Sequence, residues 1–97
     1  MNIEEKDPPA AIRHVGDKLF HFHVSDNDRG TPGSGRFDFG SAAAALQDIG
    51  YDGWVTAEMF VVPGNPTSAD LNIWRAIEAD PTEAARQALD FMGTTFR

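Results

Sequence analysis

The chain has no cysteine, which excludes disulfide staples, thiolate metal sites and cysteine nucleophiles and argues against a small secreted scaffold. Cations are scarce as well. Lys and Arg number 8 against 15 Asp and Glu, a net charge of −7 with neutral histidines, and the cations form no stripe. Capture of a phosphate backbone or an anionic membrane surface is therefore not expected, so neither nucleic acid nor membrane is a predicted partner. No run approaches the ~20 apolar residues that span a bilayer. The acidic residues 1–7 lack the apolar stretch of a signal peptide, and together these absences predict a cytoplasmic chain. Length is the last shortage. A chain of 97 residues buries only roughly 60–65% of its unfolded surface, which allows one modest core but not a self-contained barrel of ~250 residues.

What is present is an alternation of helix and strand signals. Residues 8–15 predict a short helix, with Asp7 as its cap, Pro8 and Pro9 at positions that need no N–H, and Gly16 placed to end it. Leu19-Phe20-His21-Phe22-His23-Val24-Ser25 predicts a strand with Phe20, Phe22 and Val24 on an apolar face and His21, His23 and Ser25 on a polar one. Gly30, Pro32, Gly33 and Gly35 make residues 26–37 an ordered loop rather than a regular element. Asp38 or Ser41 then caps a helix through the alanine run, Leu46 and Ile49, with Gly50 as its stop. A second strand is predicted over Gly53-Trp54-Val55-Thr56-Ala57-Glu58-Met59-Phe60, with Trp54, Thr56, Glu58 and Phe60 on one face. Helical signals resume at Ser68 with a stripe of Leu71, Trp74 and Ile77, and Asp80-Pro81 starts a further helix through Ala84, Ala88, Phe91 and Met92. Residues 93–97 read as a fraying tail.

This order predicts an α/β fold with parallel strands joined by helical crossovers. From Leu19 to Trp54 is 35 positions, close to one strand–helix unit when ~250 residues are shared among eight. Two units cannot close a barrel, and two parallel strands alone leave open edges, so the chain reads as a piece of something larger.

Sheets of this kind place their chemistry at the carboxyl ends of strands, where His23, Glu58 and the following Arg29 stand. Period two points the imidazoles of His21 and His23 the same way, and Glu58 on a neighbouring parallel strand is placed to converge with them on a divalent cation. Such nitrogen and oxygen donors suit Mn²⁺, Co²⁺, Mg²⁺ or Zn²⁺. The plainer alternatives are a packed, hydrogen-bonded histidine and a solvated loop arginine. A carboxylate buried inside Val55-Thr56-Ala57-Glu58-Met59-Phe60 would be costly without a partner, which favours a role for Glu58. Gly33-Ser34-Gly35 reads as a tight turn sooner than an anion cradle, because the spacing is not that of a phosphate loop. Asp26, Asp28, Asp48 and Asp52 read as loop caps and solvated charge, and His14 and both tryptophans as packing residues.

The string His21-Phe22-His23-Val24-Ser25-Asp26-Asn27-Asp28-Arg29-Gly30-Thr31-Pro32-Gly33-Ser34-Gly35, with Ile49-Gly50-Tyr51-Asp52-Gly53-Trp54 and Glu58-Met59-Phe60, resembles the final third of xylose-isomerase-like TIM-barrel sugar epimerases. The likeness is greatest to the D-tagatose and D-psicose 3-epimerase group. The resemblance implies a partial (β/α)₈ barrel, about the last two strand–helix units, with residues 1–97 as one carboxyl-terminal fragment. It implies a metal-dependent epimerisation of ketoses at C3, with Mn²⁺ or Co²⁺ favoured, and a small-molecule sugar as substrate. By the same resemblance His23 is a metal ligand, Glu58 both ligand and acid/base, and Arg29 a contact to substrate hydroxyls. The segment Met1-Asn2-Ile3-Glu4-Glu5 resembles an internal stretch that follows the family's Asp-x-x-His motif. The family's other glutamate, its aspartate ligand and its substrate histidine then have no counterpart here, and the isolated chain is expected to be inactive or nearly so. Hydroxypyruvate isomerase, inosose dehydratase and endonuclease IV share related sites. The acidic charge counts against the nuclease, and the 27–33 loop favours the epimerases.

A reading from another class is a non-catalytic α/β piece that self-associates, its open strand edges pairing with a second copy or with a separately encoded barrel portion.

Overall fold

A computed structural model describes residues 4–97; of the amino-terminal segment likened above to an internal stretch, residues 1–3 lie outside the described residues. The element order is α1 (Pro8–Val15), a 3₁₀ turn (Gly16–Lys18), β1 (Phe22–Val24), α2 (Phe39–Asp48), β2 (Val55–Ala57), α3 (Pro66–Asp70) and α4 (Pro81–Thr95). No helix among the described residues is long and apolar enough to cross a membrane.

The helix ends are set locally. The Asp7 carboxylate accepts the Ala10 N–H at 3.0 Å, Asp38 accepts from Ser41 at 3.0 Å, and Asp80 accepts from Thr82 and Glu83. Each thereby satisfies N–H groups that a first turn leaves without partners. Ser41, the alternative cap of α2, is instead the donor. Gly16 and Gly50 follow α1 and α2 with φ of 56° and 66°, the left-handed backbone that ends a helix at least cost in glycine.

β1 and β2 form a two-stranded parallel sheet in which Phe22, His23 and Val24 lie opposite Val55, Thr56 and Ala57. Among the described residues, helices cover one face of the sheet. Ile12 of α1 and Ala42, Ala45 and Leu46 of α2 form the buried centre, with Phe22, Val55 and Phe96 packed against it. The other face carries His21, His23, Trp54 and Glu58, all exposed.

Several expectations are corrected. Both strands are three residues long, shorter than 19–25 and 53–60, because each has a single neighbour to pair with. Phe20 lies ahead of the ladder and is 86% exposed rather than packed. The helix expected from Ser68 starts at Pro66 under an Asn65 cap and stops at Asp70. Beyond it Asn72 takes a left-handed φ of 58° and the chain turns away, so Leu71, Trp74 and Ile77 form no helical stripe. Trp54 and Trp74 are 80% and 83% exposed, and His14 is exposed too, because no element among the described residues covers them. The tail does not fray: α4 reaches Thr95, and the Phe96 ring packs near Phe22 and Phe39.

Candidate functional site

The register of the sheet brings the polar strand ends together. Residues opposite one another in a parallel pair face the same side, so His23, Thr56 and Glu58, two positions beyond Thr56, share the face away from the helices. The Glu58 N–H donates to the Val24 carbonyl at 2.9 Å, which continues the pairing by one bond and anchors Glu58 at the strand end. Its Oε2 lies 3.0 Å from His23 Nδ1. His21 stands edge-on to His23, with ring centroids 4.7 Å apart. The His23 and Glu58 side chains are 46% and 53% exposed, so Glu58 is not the buried carboxylate the strand pattern suggested. It is a half-open group that has a partner.

His21, His23, Ser25, Arg29 and Glu58 line one concavity of about 770 Å³, with Phe37 and Phe39 on its apolar wall. Arg29 reaches this cleft from the loop after β1 and also lines a smaller hollow beside Trp74 and Arg75. Its backbone is left-handed, with φ of 66°. The Arg29 carbonyl accepts the Phe60 N–H at 2.9 Å, which ties the loop after β1 to the segment just past Glu58.

That loop is built on a residue grouped above with loop caps and solvated charge. Asp26 is 4% exposed, and its carboxylate accepts N–H groups from Asn27, Gly33, Arg36 and Phe37 at 2.8–3.3 Å. Burial pushes the Asp26 carboxyl up, but the converging amides outweigh it and hold the group below the usual carboxylate range. The backbone of the 33–37 turn is thus turned inward on the chain's own carboxylate. The sequence signal for this was an Asp directly after a strand and just before a glycine-rich turn.

His23 Nδ1 and Glu58 Oε2 are an imidazole and a carboxylate donor 3.0 Å apart, donor types that divalent cations such as Mn²⁺, Co²⁺ or Zn²⁺ take in preference to soft metals. Among the described residues no third His, Asp or Glu completes a group able to hold a metal.

Residues 1–95 match the family model described as xylose isomerase-like TIM barrel. The chain is 37% identical over 97 residues to a probable ketose 3-epimerase of Synechocystis, covering 100% of this chain and 34% of that protein. To the D-psicose 3-epimerase of Agrobacterium fabrum it is 41% identical over 96 residues, covering 94% and 33%. A solved D-psicose 3-epimerase from Clostridium cellulolyticum, crystallised with D-tagatose, superposes with a TM-score of 0.90 at 38% identity, covering 100% of this chain and 35% of that one. The chain therefore spans about a third of the length of these relatives. By its sequence and by its backbone, the chain belongs to the xylose isomerase-like TIM barrel family.

Proposed function

We propose that residues 1–97 are the carboxyl-terminal third of a cytoplasmic, metal-dependent ketose 3-epimerase and carry one half of its active site. The observation that supports this best is the 3.0 Å approach of His23 Nδ1 to Glu58 Oε2 at the ends of adjoining parallel strands, on a cleft that Arg29 also lines. The relatives are ketose 3-epimerases by name, which supports a ketose as the substrate.

In this reading His23 and Glu58 hold the cation, Mn²⁺ or Co²⁺ in preference to Mg²⁺ or Zn²⁺. When bound, it supplies polarisation of the ketose carbonyl and the adjacent hydroxyl. Glu58 takes or returns the proton at C3 from one face of the sugar. Inversion at C3 needs a second acid/base on the opposite face; Glu5 is the other carboxylate among the described residues that lines the cleft, and in this reading the second proton-transfer group comes from the part of the barrel outside residues 1–97. Arg29 donates hydrogen bonds to substrate hydroxyls, and Phe37 and Phe39 limit water on the apolar side.

The test is twofold. Mn²⁺ titrated calorimetrically into the chain should bind, and His23→Ala and Glu58→Gln should each weaken it; equal affinity in all three removes these residues from the site. Co-expression with the amino-terminal two-thirds of a related epimerase should yield epimerisation of D-psicose, reduced about 10²–10⁴-fold by Glu58→Gln, while the chain alone gives none.

A second reading is favoured by the bare sheet face with exposed Trp54 and by exposed Phe20: a self-associating α/β subunit whose open strand edges pair with another copy. A monomer of 10.6 kDa at all concentrations in light scattering would defeat it.

A further inference from the structure

We propose that Asp26 is a positioning residue: its buried carboxylate gathers the loop after β1 into the one conformation that holds Arg29 on the cleft beside His23 and Glu58. The substrate contact of Arg29 rests on the epimerase reading above. The mechanical link from Asp26 to Arg29 does not.

Asp26 acts on Arg29 from two sides. Its backbone closes the turn that contains Arg29, since its carbonyl accepts the Arg29 N–H at 2.9 Å and its own N–H donates to the Gly30 carbonyl at 3.2 Å. Its carboxylate draws in the far arm of the loop through Gly33, Arg36 and Phe37. Arg29 sits between these anchors in a left-handed conformation that a residue with a side chain seldom adopts unless its surroundings impose it. The loop leaves little room for any other arrangement. A Cβ on Gly35 would collide with the Asp26 carboxylate, one on Gly33 would meet the Phe91 ring, and one on Gly30 would meet Ile77.

The chemistry calls for a carboxylate in particular. Four N–H donors converge on two oxygens, so both oxygens must accept. Asparagine would offer one oxygen and turn its own N–H groups against backbone donors. A buried carboxylate whose partners are removed, or backbone N–H groups whose acceptor is removed, cannot be left unsatisfied without cost, so the loop must rearrange and Arg29 moves with it.

The experiment uses the full chain, isotopically labelled, as wild type, Asp26→Asn, Asp26→Glu, Arg29→Ala and the double variant Asp26→Asn/Arg29→Ala. In Asp26→Asn the HN–Hα coupling of Arg29 should leave the left-handed range, and exchange at the Gly33, Arg36 and Phe37 amides should quicken about tenfold or more. The Ala45 and Leu46 amides of α2 should hold, and Asp26→Glu should restore part of the loss. D-psicose affinity in the presence of Mn²⁺ should fall about 10–100-fold in Asp26→Asn, and the double variant should be no worse than Arg29→Ala alone. A purely structural Asp26 would make the two losses additive. If Asp26→Asn fails to fold, Gly35→Ala, which crowds the carboxylate without removing it, should shift the same Arg29 signals. An unchanged Arg29 coupling with the loop amides still protected, or additive losses, overturns the proposal. If the wild type shows no D-psicose affinity, the coupling and exchange data alone decide the role of Asp26, and the ketose reading stands or falls on the co-expression test above.

Discussion

Glu58 and His23 are a poor investment for stability. Their side chains are 53% and 46% exposed, and a polar contact at such a surface contributes at most about 1 kcal/mol. Glu58→Gln should therefore change the unfolding free energy by less than about 1 kcal/mol in a urea titration while weakening Mn²⁺ binding clearly, a separation that a structural glutamate would not show. Asp26 is the opposite case, a carboxylate that the loop cannot spare. Its pKa lies below the ordinary value because the ionised form is the one the amides hold. The stabilisation is therefore fully present above the unfolded-state pKa and is lost as pH falls through the lowered folded value. Acid titration followed by amide exchange should show the 33–37 amides keeping their protection through the ordinary carboxylate range and losing it only below.

At the scale of elements, the helices carry their own instructions and the strands do not. α4 shows this most fully: Asp80 caps it, and Arg86 bonds to Glu83 and Asp90 along its surface. Asp80→Ala should cost about 1 kcal/mol, read as a fall in Tm of roughly 4–8 °C. Hydrogen bonds from the side chains of Arg86 and Gln87 lower the Glu83 pKa from 4.5 to about 2. Helix support from Glu83 is therefore complete above pH 4.5 and fades as pH drops toward about 2, a trend that circular dichroism of the wild type against Glu83→Gln should display. β1 and β2 are short because a strand extends only as far as it finds a neighbour, and each has neighbours on one side alone.

The whole molecule is more open than its mass requires. Its accessible surface is 6559 Å², against about 5,500 Å² for a compact monomer of this size, and its radius of gyration is 13.9 Å against about 12.5 Å. Among the described residues, Phe20, Trp54 and Trp74 are large apolar side chains left in water. Light scattering at rising concentration should show association beyond 10.6 kDa, suppressed when an amino-terminal barrel portion is supplied; a compact monomer that ignores such a portion would contradict both functional readings.

Sequence by itself determined what depends on neighbours a few residues away. The caps at Asp7, Asp38 and Asp80 and the stops at Gly16 and Gly50 were legible because a side chain meets a backbone group within three positions, and a glycine's freedom is intrinsic. The parity of His21, His23 and Glu58 was legible because alternation along a strand is geometric. Only tertiary structure decided how far the strands ran, that Trp54 and Trp74 stayed in water, and that Asp26 was buried under amides up to 11 positions along the chain. Those outcomes turn on which surfaces find a partner in space, and the joining of His23 to Glu58 across 35 positions depends on the strand register that such partnering sets.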